Sequence, residues 1–320
     1  MPDALDMQLL QALQLDGRAP FSLIAEVLEV SDQTIARRYN RLTEAGLLRV
    51  RGLSDPERLR QTRWIVRVQC IPAAASAAAD ALARRPDTSW ISLSAGGTEI
   101  TCAVRTDPAA DDERVLLQTL PRNRFVVGMT AQCVLHTFFG DAAALITKIG
   151  TLSKSQVARL RTPAPRPPQH PVTLSELDQR LLKVLERDGR ATFGELAAAS
   201  QASQTTVRRR MAELRENGTL YFDVDFEQKL LDLHVRAMLW MAVAPSQLEA
   251  TGKALREHTE TAFVAATSGA TNLCVSVVCP DTTSLYTYLT TRIAALAAIE
   301  RVETVPIVRT IKRTGVLSPA

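Results

Sequence analysis

One stretch of this chain occurs twice. Residues 5–48 align without a gap onto residues 177–220, 172 positions later, and 19 of the 44 aligned positions are identical. The identities include Asp16-Gly17-Arg18 with Asp188-Gly189-Arg190, Ser31 with Ser203, and Arg37-Arg38 with Arg209-Arg210. A fixed offset over that length marks a duplicated folding unit rather than shared composition.

Each copy reads as three helices. In the first, Leu5, Leu9, Leu10 and Leu13 form the stripe of a helix with one buried face. Asp3 is placed to cap its start, and Asp16-Gly17 ends it. Leu23, Ile24, Val27 and Leu28 supply the apolar face of a short second helix. Ser31 opens a third helix that runs to Gly46, with Ile35, Tyr39 and Leu42 turned to the core. That leaves Asp32, Gln33, Ala36, Arg37, Asn40 and Arg41 mostly outward. In the second copy Val207, Met211 and Leu214 are the buried set, and Gln204, Thr205, Arg208, Arg209 and Arg210 lie on or beside the exposed side.

Short polar residues in the first turn, followed by arginines, suit a helix that enters the major groove of DNA. The first turn reaches base edges, and the arginines reach guanines or flanking phosphates. The expected contacts are Asp32, Gln33, Thr34, Arg37, Arg38 and Arg41 in the first head, and Gln204, Thr205, Thr206, Arg208, Arg209 and Arg210 in the second. With three consecutive arginines the second head is the expected stronger anchor, through Arg209 and Arg210.

The pattern resembles the helix-turn-helix heads, winged-helix-like, of Lrp/AsnC-family transcriptional regulators. The second copy carries it nearly whole: Leu177-Asp178, Leu181-Leu182, Asp188-Gly189-Arg190, Leu196-Ala197, Ser203, Thr206-Val207-Arg208-Arg209-Arg210, Leu214 and Gly218. The first departs, with Ile35-Ala36-Arg37-Arg38-Tyr39 where the second has an unbroken arginine run.

A second, less exact repeat follows each head. Alternating and apolar patterns predict strands at 63–70, 90–93, 99–104 and 125–139, with helices at 73–84 and 112–120. The counterparts after the second head are strands at 236–243, 262–267, 272–278 and 302–311, with helices at 247–258 and 282–297. Each set gives β-α-β-β-α-β, a ferredoxin-like domain. The fold class is therefore α+β, with two tandem units, each a helix-turn-helix head followed by a ferredoxin-like domain. The resemblance implies that these domains serve oligomerisation and binding of an amino acid-like effector at glycine-containing hairpins. The candidates are Gly96, Thr98 and Glu99 in one, and Gly269, Thr271 and Asn272 in the other. The family often has an aspartate where this chain has Glu99 and Asn272, and a tight turn alone also accounts for the glycines.

The expected domains are 1–52, 60–140, a basic Pro-rich linker at 141–171, 172–222 and 223–320. The linker has five basic residues (Lys148, Lys154, Arg159, Arg161, Arg166), no acidic one from 148 to 170, and a Pro-rich end that reads as an extended spacer. Phosphate binding and simple tethering explain its charge equally well. Overall the net charge is only +4, and residues 1–51 hold six Lys/Arg against seven Asp/Glu. DNA binding would thus depend on where the arginines point, not on bulk charge.

Five scattered cysteines without a CxxC pair suggest buried thiols in a reducing, cytoplasmic setting. His136, His170, His234 and His258 have no metal-ligand spacing, and no nucleotide or hydrolase motif occurs. No cofactor, metal, catalytic residue or membrane segment is expected. The expected function is a sequence-specific, DNA-binding transcriptional regulator, not an enzyme. Its partners would be double-stranded DNA and an amino acid-like effector, and the chain would form a homo-oligomer or an internal pseudo-dimer. Two other readings share the architecture. One is an enzyme resembling sirohaem (tetrapyrrole) decarboxylases, resting on His234 and Arg236, and the other an architectural DNA-binding protein without an effector.

Overall fold

The computed structural model describes residues 3–107, 126–140, 145–166 and 172–314. In chain order the helices and strands are α1 (Ala4–Leu15), α2 (Phe21–Leu28), α3 (Asp32–Glu44), β1 (Leu48–Ser54), β2 (Thr62–Cys70), α4 (Ala75–Ala83), β3 (Thr88–Ser94), β4 (Glu99–Thr106) and β5 (Val126–Phe139). There follow α5 (Ile146–Ile149), α6 (Lys154–Leu160), α7 (Glu176–Arg187), α8 (Phe193–Ser200), α9 (Gln204–Glu216) and β6 (Leu220–Phe226). The last are β7 (Val235–Val243), α10 (Leu248–Arg256), β8 (Thr261–Thr267), β9 (Leu273–Cys279), α11 (Thr282–Tyr288) and β10 (Ile299–Lys312).

These elements do not collect in the order of the chain. One compact unit is Met1–Arg60 with Ala142–Leu230, and the other is Gln61–Asp141 with Leu231–Ala320. The two heads therefore share a unit with the intervening segment, and the two ferredoxin-like repeats share the other.

In the head unit the caps form where the side chains allow. Asp3, Ser31, Ser153, Ser175, Thr192 and Ser203 each accept a backbone N–H at the start of a helix. Gly46, at φ 68°, turns the chain out of α3. β1 and β6, one from each head, pair antiparallel from Leu48 opposite Phe226 to Ser54 opposite Leu220.

The repeated Asp-Gly-Arg turns lie at this junction. Arg18 donates to the carbonyls of Gly189 and Ala191 at 2.8 and 3.0 Å, and Arg190 donates to those of Gly17 and Ala19 at 2.7 and 3.1 Å. Each guanidinium also lies over an aromatic ring: Arg190 over Phe21 at 4.4 Å and Arg18 over Phe193 at 5.1 Å. Arg18 and Phe193 belong to different heads, as do Arg190 and Phe21, so the contact is reciprocal. The glycines are needed for close approach: a Cβ at Gly17 would sit 2.8 Å from Phe222 and Val50, and one at Gly189 2.8 Å from the Arg51 backbone. Asp16, expected as a turn former, also pairs with Arg215 of the second head at 3.0 Å.

The segment read as an extended spacer is partly helical. Ser153 and Gln156 form a capping box, and Gln156 donates to the Val27 carbonyl at 3.0 Å. Gln11 accepts from the Leu152 N–H at 2.8 Å, and Arg159 pairs with Glu26. Residues 145–160 thus pack on the first head through α1 and α2, and the Arg166 N–H donates to the Glu216 carbonyl at the end of α9. His170 lies outside the described residues.

In the second unit eight strands close a barrel in the order β10-β3-β4-β2-β5-β8-β9-β7. The two 14-residue strands join the repeats: β5 pairs with β2 of its own repeat and β8 of the other, and β10 pairs with β7 and with β3. Alternation along the strands divides the apolar residues. Ile65, Met238, Trp240, Cys274 and Val305 form one core cluster, whereas Val66, Val68 and Ile100 pack with Ala75, Ala79 and Leu82 of α4. The helix expected at 112–120 lies outside the described residues. The one expected at 282–297 is α-helical only to Tyr288 and continues as a π-turn over Leu289–Ile293. The Thr290 and Thr291 hydroxyls there donate to carbonyls four residues back.

Replacing Arg18 or Arg190 with Ala leaves two carbonyls without a charged donor. Each change should destabilise the head unit by about 2–3 kcal/mol in urea unfolding. A change below about 0.5 kcal/mol would show that the clasp contributes nothing.

Candidate nucleic-acid interface

α3 and α9 each present one face to the core and one to solvent, and their arginines divide between the two. In α9 Arg210 turns inward. It binds Asp178 through Nε at 2.7 Å and Nη2 at 2.9 Å, and also reaches Glu213 at 2.9 Å. Asp178 is fully buried near the start of α7, where Ser175 also donates to it. Burial pushes this carboxyl up, but the bonds from Arg210 and Ser175 outweigh that and hold it below its ordinary value.

The first head repeats the arrangement at the equivalent positions. Arg38 binds Asp3 at 2.7 Å and the fully buried Asp6 at 2.8 Å. Arg41 also reaches Asp6, at 2.6 Å, while keeping most of its side chain in solvent. Arg38 and Arg210, both expected on DNA, are therefore engaged within their own heads. The expected anchor pair Arg209-Arg210 is split: the helical step turns one outward and one inward.

The outward set is smaller. Arg37 is exposed and has no ion pair or hydrogen bond among the described residues. Gln33, Thr34, Ala36, Arg37, Asn40 and Arg41 line an open depression on α3. Asp32 accepts from the Gln33 N–H. Thr34 and Thr206 share hydrogen bonds with their N-cap serines at 2.8 and 2.9 Å, so their hydroxyls help start the helices. On α9 Gln204, Thr205, Arg208 and Arg209 are exposed. Arg209 pairs with Glu213 at 2.7 Å, a surface contact worth little. Arg208 has its guanidinium 3.9 Å from the Phe193 ring centroid.

The two hairpins of the barrel unit differ. Gly96 and Gly97 have positive φ, and a Cβ at either would meet nothing within 4 Å. Thr98 donates to the Ala95 carbonyl. Glu99 is buried, and Arg67 binds both its carboxylate oxygens at 3.1 and 2.9 Å. In the second hairpin Asn272 makes two bonds to the Val243 backbone, and Gln132 donates to the Ser268 carbonyl, the Thr271 carbonyl and the Thr271 hydroxyl. Gln132 also lies 3.1 Å from where a Gly269 Cβ would be. Glu99 and Asn272 are thus committed to internal bonds, and only the first hairpin has open space around its glycines.

His234 pairs with Asp232, and Arg236 donates to Ser276 at 3.1 Å and stacks on Trp90. Burial pushes the Cys102 thiol up to about 12 and raises those of Cys70, Cys133, Cys274 and Cys279. No described group of three or more His, Cys, Asp or Glu residues has metal-binding geometry, and no described helix is long and apolar enough to cross a membrane.

Comparison with known proteins gives the arrangement its family. The AsnC-type helix-turn-helix domain matches residues 3–43 and again 174–215, and the Lrp/AsnC ligand binding domain matches residues 236–317. The chain belongs to the Lrp/AsnC family. Among its relatives, the HTH-type transcriptional regulator Ptr1 of Methanocaldococcus jannaschii is 28% identical over 140 residues, 43% of this chain and 95% of Ptr1. The regulator FL11 of Pyrococcus abyssi is 24% identical over 144 residues, 45% of this chain and 95% of FL11. A nearly whole relative thus corresponds to under half of this duplicated chain. The crystal structure of the siroheme decarboxylase NirDL superposes with a TM-score of 0.67 over 99% of this chain and 95% of its own, at 14% identity. That likeness extends the fold to the full tandem arrangement.

The inward pairs carry a pH signature. Asp3 and Asp178 both sit below their ordinary pKa in the folded state, so their ion pairs stabilise the heads above pH ~4 and are lost as pH falls through the folded pKa values. Asp178→Asn, which leaves Arg210 without its main partner, should cost about 3 kcal/mol at pH 7 and less at pH 3, where the unfolded carboxyl is already mostly protonated. Urea unfolding at the two pH values checks this, and an equal loss at both would contradict the assignment.

Proposed function

We propose that this chain is a sequence-specific DNA-binding transcriptional regulator that reads two unequal half-sites with one polypeptide. The observation that carries the reading is the sorting of arginines: Arg38 and Arg210 complete the heads from within, leaving polar, exposed faces on α3 and α9. Gln33, Arg37 and Asn40 in one helix, and Gln204, Thr205, Arg208 and Arg209 in the other, have the chemistry for base edges and phosphates. The regulator names of the relatives agree with this. The protein would act in the cytoplasm, where its DNA is.

We infer further that an amino acid-like effector acts through the ferredoxin-like repeats, and that its access is at the first hairpin, around Gly96, Gly97 and Thr98. The open space at these glycines supports that choice over Thr271, which is occupied by Gln132.

A tetrapyrrole-binding enzyme is the second reading, favoured by the chain-length likeness to a siroheme decarboxylase. Its sequence basis here was His234 and Arg236, and both have partners within the chain.

A gel-shift of the purified chain on its own upstream DNA, at two salt concentrations and with competitor, separates these readings. The regulator gives a discrete, competitor-resistant complex that weakens with salt. Arg208→Ala with Arg209→Ala should lower its affinity at least tenfold. Absence of such a complex, together with visible absorbance from co-purifying tetrapyrrole, would overturn the regulator reading.

A further inference from the structure

The repeat makes it possible to compare the two reading helices position by position, and one position differs in chemistry more than the rest. Offset by 172, Ala36 corresponds to Arg208. We propose that Arg208 reads a guanine in the half-site of the second head, and that the first head makes no matching contact, so this position fixes the orientation of the protein on its target. The inference rests on the DNA-binding reading above.

Arg208 shares its lack of an ion pair with Arg37 alone among the described arginines of these helices, and differs from Arg37 in lying over a ring. Arg38 and Arg210 are held by buried carboxylates, and Arg209 and Arg41 by Glu213 and Asp6. Arg208 is exposed, and among the described residues its guanidinium has no carboxylate or hydrogen-bond partner. What it has is the Phe193 ring, 3.9 Å away. A guanidinium held over a ring by a cation–π contact spends no N–H group on it, yet loses rotamer freedom in advance. That is the state in which an arginine makes a bidentate contact to guanine O6 and N7 at the least entropic cost.

Phe193 is itself held in place. It opens α8, and Arg18 of the other head also lies over it, at 5.1 Å. The platform under Arg208 is thus part of the clasp between the heads. Arg208 is also well placed along the helix, four residues after Gln204 and three after Thr205, on the same outward stripe near the N-terminal end.

The first head has no substitute. Ala36 lines the outward depression of α3, and its methyl fits a thymine methyl at most. The ring equivalent to Phe193 is Phe21, which packs against Tyr39 at 5.2 Å and under Arg190. Arg37 is on the outward face but has no aromatic platform among the described contacts. The two half-sites should therefore be related by an imperfect twofold axis, broken at this base pair.

The test uses the full chain. A duplex selected from a random pool is partly methylated with dimethyl sulfate, which marks guanine N7 in the major groove, and bound and free fractions are compared. The wild-type chain should show one half-site guanine whose methylation blocks binding. Arg208→Ala should lose that interference, keep the others, and bind the selected duplex about tenfold more weakly. Arg208→Lys keeps the charge without the planar fork, and should hold its affinity for random DNA while losing the guanine preference. Ala36→Arg should gain tolerance for guanine at the mirror position.

An unchanged interference pattern in Arg208→Ala would overturn the inference. So would an equal loss of affinity for selected and random DNA with a salt slope smaller by about one, the mark of a phosphate contact. Failure of the wild-type chain to bind any selected duplex would overturn the DNA-binding reading itself, and the guanine assignment with it.

Discussion

Two guanidinium groups hold the reading end of this molecule together. Arg18 and Arg190 each leave their own head and donate to backbone carbonyls of the other, at Gly189 and Ala191 and at Gly17 and Ala19. Burial disfavours the charge on both, and the carbonyl pairs and aromatic rings compensate it. Because the acceptors are backbone atoms, the contact fixes chain position as well as proximity. The Gly17 and Gly189 turns, the β1–β6 pairing and the platform under Arg208 all depend on that approach. The Asp-Gly-Arg repeat is thus the element by which two copies of one fold recognise each other within a single chain.

Arginines of one type serve opposite ends in these heads, and burial decides which. A carboxylate without solvent, such as Asp6 or Asp178, needs a close cation, and Arg38 and Arg210 supply it. One helical step earlier the same side chain points to solvent, as Arg37 and Arg209 do. The barrel unit follows a parallel logic: Arg67 satisfies the buried Glu99 and also binds Glu303 of the other repeat. In the heads the positions that meet the other copy are the same in both, whereas the barrel hairpins have diverged. Glu99 and Asn272 correspond across the repeat, yet one takes an arginine and the other a strand backbone.

Much of this is legible in the sequence. The caps at Asp3, Ser31 and Ser203, the apolar stripes and the hairpin glycines are local signals, and the helices and strands fall where those signals lie. Other features were present but unread. Leu48, Val50 and Leu220, Phe222, Val224 alternate with polar or aromatic residues in the period of a strand, and they form β1 and β6. The Ser153–Gln156 capping box was hidden by the basic, Pro-rich composition around it. What no local pattern reveals is which of two adjacent arginines faces a carboxylate 32 residues away. The identity of Asp6 with Asp178 and of Arg38 with Arg210 was a clue, because a pair retained in both copies is often structural. The pairing itself depends on packing.

Clasped in this way, the two heads act as one rigid reader and not as two heads on a tether. Inserting five base pairs between the half-sites of a selected duplex rotates one relative to the other by half a helical turn. A clasped pair cannot follow that rotation, so the affinity of the full chain should fall to that of a single half-site, and a ten-base-pair insertion should not be equivalent to the original spacing either. Undiminished binding after the half-turn insertion would mean that the heads move independently, and that the Arg18–Arg190 clasp does not govern how the protein meets DNA.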